Sequence, residues 1–270
     1  MTAGLDGAAA HRQSEGMTTD PRLFTDAALT SGATVPLTRE DAHYLLNVLR
    51  RGEGDRVRVF NGRDGEWSAQ ISHASKKAAA LTVEAQTRQQ RGVPDLWLLF
   101  APVKRQKTDL IVEKATELGV AAICPVTTAR TQSDRIKYER FQTIAKEAAE
   151  QTERLDLPEI RGIDRLDRVL DAWPQDRALV FCDESGDEPD AAWGGARGRG
   201  QPMAAALAGL AEKPAAILIG PEGGFSPAER DRLRSLDVVI PVTLGPRILR
   251  AETAAIAALT VWQSVCGDWR

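Results

Sequence analysis

Hydrophobic positions along the chain follow two different periods. Between residues 21 and 88 apolar and polar residues alternate, in V-R-V-F at 57–60, in 67–71 and again in 81–83. A period of two predicts half-buried strands. Asn61-Gly62 and Asp64-Gly65 offer tight-turn chemistry between the first two strands, and Lys76-Lys77 lie in a basic turn before the third. One helix is expected over 39–48, with Thr38 as N-cap and Asp41 in its first turn. The segment reads as a compact β-barrel spanning 18–90. After Q-Q-R-G-V-P at 89–94, a polar linker, the pattern changes. The run at 96–101 is apolar throughout, as in a strand covered on both faces. A helix over 108–118 places Ile111, Ala115 and Leu118 on one side and ends at Gly119. A strand at 121–126 follows, so the unit is strand–helix–strand and the sheet parallel. A helix at 140–151 turns Phe141, Ile144 and Ala148 inward, and further strands are expected at 178–182, 215–219 and 238–244. Ser226, Pro227 and Glu229 form a capping box at the start of another helix, and the last helix, 251–266, stops at Gly267. The predicted architecture is an α/β domain over 95–270 behind the small barrel.

Two of these strands end in the same way. The run 215–219 stops at Gly220-Pro221-Glu222-Gly223-Gly224, and the run 238–244 at Gly245-Pro246, with a helix after each. Ligands of parallel α/β sheets bind beyond the carboxyl ends of the strands. The pair of loops, with Glu222, Arg247, Arg250, Glu252 and Thr253 around it, predicts a pocket walled by backbone. Taken singly, each loop reads as plain turn punctuation; the pair shifts the balance. Neither matches a P-loop or a G-x-G-x-x-G turn.

Composition narrows the setting. The chain has 270 residues, 43% of them hydrophobic and 27% charged, and a net charge of −3. Such a balance describes no obvious polyanion binder, so nucleic-acid contact would need a local basic patch. Residues 18–93 hold eleven Lys/Arg against nine Asp/Glu, with Arg50, Arg51, Arg56, Arg58 and Arg63 grouped. Three scattered cysteines and three distant histidines predict neither a disulfide framework nor a metal site, and fit a cytoplasmic setting. No apolar run reaches the length of a membrane span. Residues 1–16 carry no apolar core of a signal peptide, so 1–17 reads as a disordered extension with Met17 as an alternative start. The Gly-, Asp- and Arg-rich stretch 184–202 reads as a surface loop.

G-P-E-G-G-F-S-x-x-E at 220–229 and L-G-x-R-I-L-R-x-E-T-A at 244–254 resemble the SPOUT methyltransferases. Within them the chain most resembles the bacterial 16S ribosomal RNA uridine-N3 methyltransferases, through K-R-Q-K-T-D-L-I-V-E-K-A-T-E-L-G-V at 104–120 and E-A-A-E-Q-T-E-R at 147–154. R-L-F at 22–24, H-Y-L-L-N-V-L-R at 43–50 and Gly54-Asp55 resemble that family's PUA-like RNA-binding barrel. The resemblance implies a trefoil knot over the two glycine loops, a homodimer, and S-adenosylmethionine as methyl donor. It places the donor at Leu218, Ile219, Gly220, Glu222, Gly223, Gly224, Leu244, Gly245, Ile248, Leu249, Arg250, Thr253 and Ala254. In one respect the chain departs from the family: Glu153 stands where a glycine usually precedes the arginine matching Arg154.

The reaction implied by the resemblance sets what these residues must do. Uracil N3 bears a proton, and losing it puts negative charge on O2 and O4. A fixed arginine stabilises such charge in a dry pocket. Arg250 and Arg247 flank the second loop and are the candidates; Glu222 or Glu252 accepts the proton or orients an arginine. A local Arg250–Glu252 ion pair is the structural alternative. Arg22, Arg50, Arg51, Lys104, Arg105, Lys107 and Arg130 are the expected contacts to 16S ribosomal RNA of the small subunit. Methylation of another RNA or base atom, and a non-catalytic RNA-binding protein, are the competing readings.

Overall fold

The computed structural model describes residues 20–75, 78–132, 136–183 and 200–270. The amino-terminal extension, the Lys76-Lys77 turn and residues 184–199 of the expected loop lie outside the described residues.

The amino-terminal part is a five-stranded mixed sheet. Its strands are β1 (Arg22–Phe24), β2 (Thr34–Pro36), β3 (Arg56–Phe60), β4 (Glu66–Ala74) and β5 (Ala79–Arg88), in the order β1-β3-β4-β5-β2. β1 and β3 are parallel; the remaining pairs are antiparallel. The two edge strands do not pair with each other, yet Leu23 of β1 and Val35 of β2 meet Val57, Val59, Ile71 and Leu81 in one core. The sheet therefore wraps round its own interior, as the alternating pattern requires. Thr38 caps α1 (Arg39–His43) by accepting from the Asp41 N–H. The expected single helix is in fact α1 followed by a π-helical turn, Tyr44–Val48.

The second part is an all-parallel sheet. It contains β6 (Leu96–Phe100), β7 (Ala122–Thr127), β8 (Glu159–Ile160), β10 (Ala178–Cys182), β11 (Gln201–Pro202), β12 (Ala215–Ile219) and β13 (Val239–Thr243), ordered β11-β13-β10-β12-β6-β7-β8. β9 (Asp164–Arg165) pairs with the end of β7. β11 falls at the end of the stretch expected to be loop. Helices α2 (Arg105–Glu117), α3 (Tyr138–Gln151), α5 (Met203–Ala206) and α7 (Ala251–Val265) cover one face, and α4 (Leu166–Asp171) and α6 (Pro227–Arg234) the other.

Alternate residues of each central strand feed opposite cores. Leu98, Phe100, Val180, Ile217 and Ile219 pack under α2 and α7, whereas Leu99, Phe181, Ala216 and Leu218 pack under α4 and α6. Burial on both faces explains why these strands are apolar without alternation. α2 starts at Arg105, three residues ahead of the expected boundary, and Gly119 follows it at φ +74°.

The two parts are bolted together at the carboxyl end of α3. Arg22 is 5% exposed. Its guanidinium bonds Glu66 at 2.6 Å and donates to the carbonyls of Ala149, Glu150 and Arg154. Phe24 and Phe60 pack edge-on at 5.6 Å against Ala149 and Leu155. Glu153 adopts φ +62° and directs its carboxylate to Arg58 and Arg88 of the smaller sheet, at 3.0 and 2.8 Å. The residue in place of a glycine thus takes a glycine-like backbone and ties the two parts together.

Candidate active site

Register fixes the location of the site. β10 lies between β12 and β13, with Phe181 opposite Leu218 and Cys182 opposite Val242. The carboxyl ends of these three strands and of β6 therefore share one edge, and the loops after them converge there. Between the loops is a cavity of about 730 Å³, of the size that takes a small-molecule ligand. Ile219, Gly220, Glu222, Gly223 and Gly224 line it from the first loop, and Ile248, Leu249 and Arg250 from the second. Ala251 and Ala254 of α7, Cys182 at the end of β10 with Asp183 after it, and Lys104 and Lys107 complete the wall.

The first loop owes its shape to close packing. A Cβ on Gly220 would lie 2.5 Å from the Phe225 ring, so only glycine fits there. Phe225 packs edge-on against Phe181 at 5.0 Å. Glu229 ties the end of the loop to the segment after β7. It completes the Ser226 capping box and its other oxygen accepts from the Ala129 N–H at 2.7 Å. Arg130 donates to the Gly223 carbonyl at 2.8 Å.

Charge concentrates on one wall. Lys107 Nζ lies 2.5 Å from Glu222 Oε1 and 3.6 Å from Glu252 Oε1. The hydrogen bond to Glu222 raises the Lys107 pKa, and the same bond lowers that of Glu222. Glu252 does not line the cavity; it stands behind Lys107, and its buried Oε2 has no hydrogen-bond partner among the described residues. Among the described residues no Arg250–Glu252 ion pair forms, because Lys107 takes the carboxylate. The cavity thus combines apolar side chains, main-chain polar groups of the 220–224 loop and three cations, Lys104, Lys107 and Arg250, of which Lys107 is held by carboxylates. These fit an adenosyl donor with a polar tail, whose ring Ile219, Leu249, Ala251 and Ala254 would cover.

Comparison with known proteins decides the family. Residues 91–263 match the RNA methyltransferase domain model, and residues 37–84 the RNA methyltransferase PUA domain model. The chain is 30% identical to ribosomal RNA small subunit methyltransferase E of Rickettsia conorii, over 88% of this chain and 93% of that one. It belongs to the ribosomal RNA small subunit methyltransferase E family. The Bacillus subtilis methyltransferase E is 31% identical over 88% and 92% of the two chains. The crystal structure of the Neisseria gonorrhoeae enzyme, bound to S-adenosyl methionine, superposes with a TM-score of 0.75 at 25% identity, covering 93% of this chain and all of that one.

For this methyltransferase the expected site residues separate into groups. Leu218 is fully buried beneath α4 and α6, on the sheet face turned away from the cavity, so it is core and not a donor contact. Leu244 packs against the α2/α7 core, while Gly245, Arg247 and Thr253 are exposed and off the cavity wall. Arg22 is not an RNA contact, because its guanidinium is consumed inside the protein. Arg105 lines a separate small cleft with Asp109 and Arg140. Arg50 is exposed and Arg51 half-buried. The arginine group of the smaller sheet is dispersed: Arg58 joins the Glu66 and Glu153 carboxylates, and Arg63 donates to the Asp26 carbonyl.

Asp183 escaped the sequence reading. It is 3% exposed and accepts from Arg230 at 3.0 and 3.1 Å and from Arg234 at 2.6 Å. It thereby anchors α6, and the first loop with it, to the strand between the loops. Its signal was present, since an aspartate ends the apolar run at 178–182. What the run could not show is that this strand lies between the two glycine-loop strands.

Proposed function

We propose that this chain transfers the methyl group of S-adenosylmethionine to N3 of a uridine in 16S ribosomal RNA of the small subunit. The observation that carries the reading is the meeting of both glycine loops on one cavity that also holds Lys107, Glu222 and Arg250. The names of the relatives and the donor bound in the Neisseria structure support the same chemistry. The donor, when bound, supplies a methyl group already activated as a sulfonium. The chain's task is then to orient the base and to hold the charge that appears when N3 loses its proton. Arg250 and Lys107 stabilise that negative charge from the cavity wall. Glu222 is solvent-exposed on the cavity wall and passes the proton to water; its lowered pKa makes it a relay and not a store. Glu252 keeps Lys107 in place.

The segment 18–90 presents RNA to the methyl-transfer domain at 95–270, whose glycine loops form the SPOUT-type knot. Lys104 and Arg130, exposed beside the cavity, meet the RNA backbone. A second copy packs over the exposed side of the second loop, where Ile248 is 85% exposed. No helix among the described residues is long and apolar enough to cross a membrane, and the enzyme works in the cytoplasm where subunits assemble. Mapping modified bases in ribosomal RNA from a strain lacking the gene tests the assignment: one N3-methyluridine should vanish from the small-subunit RNA and return on complementation.

A further inference from the structure

A second cleft opens on the same edge of the parallel sheet. It has room of about 450 Å³ and lies beyond the carboxyl end of β7. Thr127, Thr128 and Ala129 form one wall, and Arg165, Leu166, Asp167 and Leu170 of β9 and α4 another. Glu229 and Arg232 of α6 close it. We propose that this cleft is an RNA subsite that takes an unstacked nucleotide flanking the one entering the methyl-transfer cavity. The proposal rests on the RNA methyltransferase reading above and adds to it a place for neighbouring sequence.

Three features of the cleft point to a nucleotide. Its floor is apolar: Leu166 and Leu170 are 3% and 6% exposed and continue into the core under the sheet. Its wall carries the Thr127 and Thr128 hydroxyls, the first donating to the Asp164 carbonyl at 3.5 Å and the second bonded to the Thr131 hydroxyl at 3.0 Å, each with an oxygen lone pair left to accept from a base. Its charges cancel, Arg165 and Arg232 against Asp167 and Glu229, so a bare anion gains little there while a neutral base with its phosphates at the rim is accommodated. The rim arginines are held by carboxylates, Arg165 by both oxygens of Asp167 at 3.0 and 2.6 Å and Arg232 by Asp171 at 2.6 Å. Guanidinium planes fixed at a rim are surfaces on which single-stranded bases stack.

Position supplies the link to the reaction. β7 is separated from β12 by β6 alone, so the two openings lie two strand spacings apart, roughly 10 Å. They share a wall. Ala129 lines the cleft, and the next residue, Arg130, bonds the Gly223 carbonyl in the cavity's first loop. Glu229 also accepts from the Ala129 N–H and belongs to the capping box behind that loop. A nucleotide seated in the cleft therefore lies beside the structure that shapes the donor site, without entering it.

The test uses the full chain, small ribosomal subunits from a strain lacking the gene, and labelled S-adenosylmethionine. The Arg165→Ala/Arg232→Ala double variant should raise KM for the subunit about tenfold, the size of one lost base contact. Its kcat and its calorimetric affinity for S-adenosylmethionine should stay as in the wild type. Arg168→Ala, on the same helix but outside the cleft, should behave as the wild type. Subunit RNA carrying thiouridine beside the target should photocrosslink to residues 127–129 or 165–170. A KM for the double variant equal to that of Arg168→Ala, or crosslinks confined to 220–224 and 247–254, overturns the subsite while leaving the enzyme reading intact. Absence of methyl transfer by the wild type to any RNA overturns both.

Discussion

Lys107 Nζ lies 2.5 Å from Glu222 Oε1, so the third residue of α2 reaches across the sheet edge to the first glycine loop. The lysine stands between two carboxylates and inside the cavity, where a cation is needed when the substrate base becomes anionic. Lys107→Ala is expected to lower kcat about a hundredfold, in the range of a lost charge-stabilising donor, with little change in S-adenosylmethionine affinity. Lys107→Arg should recover part of the rate. Because the Glu222 bond raises the Lys107 pKa above 10.5, the cation is present at lower pH and lost only as pH rises through the raised value. The wild-type rate should therefore show no decline from its deprotonation between pH 7 and 10.

Arg250 is exposed on the cavity wall and is the N-cap residue of α7 without a side-chain capping bond. Arg250→Ala is expected to cut methylation by about a hundredfold or more and to weaken donor binding far less. Single-turnover rates and calorimetric titration on the same protein separate the two effects; near wild-type turnover would remove this arginine from the mechanism.

Gly220 has no room for a side chain, since its Cβ would meet the Phe225 ring at 2.5 Å. Gly220→Ala must displace Phe225 from Phe181 or move the loop. Donor affinity should drop at least tenfold while thermal stability falls by about 1–3 kcal/mol, the cost of overpacking a core. Unchanged affinity would mean that the loop shape is not set by this contact.

Glu153 carries a left-handed backbone and an ion pair with Arg58 and Arg88. The two features separate by substitution. Glu153→Ala loses the pair and keeps the strain, whereas Glu153→Gly loses the pair and relieves the strain. The glycine variant should be more stable than the alanine variant by about 1 kcal/mol in chemical denaturation. Equal stabilities would show that the backbone there relaxes.

Burial pushes the Glu150 carboxyl up to about 7, against the opposing bond from the Phe24 N–H. A carboxyl whose folded pKa exceeds its unfolded one favours the fold at low pH, and this contribution is lost as pH rises from 4.5 through about 7. Glu150→Gln should therefore gain stability relative to the wild type between pH 5 and 8, by about 2 kcal/mol at most. Parallel denaturation curves at the two pH values measure the difference.

Much of this was readable in residue order. The continuous apolar runs announced β6, β10 and β12, and Ser226 with Glu229 announced the start of α6, because each signal is local. The paired glycine loops pointed to the cavity for the same reason. What failed was long-range. Nothing near Leu218 tells which face of its strand looks toward α7, and nothing near Arg22 tells that α3 ends above it. Arg22 and Arg50 look alike in sequence, yet one is enclosed and the other open to solvent. Lys107 was expected to touch RNA; its position between Glu222 and Glu252 depends on α2 and α7 packing side by side.

The Arg22 guanidinium, closed over by Glu66 and three main-chain carbonyls, makes the small sheet and the parallel sheet a single body. Removing it would leave the buried Glu66 carboxylate with only the longer contacts to Arg58 and Arg88, at 3.5 and 3.9 Å, and breaking a buried pair costs about 3–5 kcal/mol. Whatever grips a helix or loop of the ribosome at one end then stands at a constant offset from the chemistry at the other. Choice of nucleotide becomes a matter of fixed geometry, as with a gauge block, and a swivel between the halves plays no part in it.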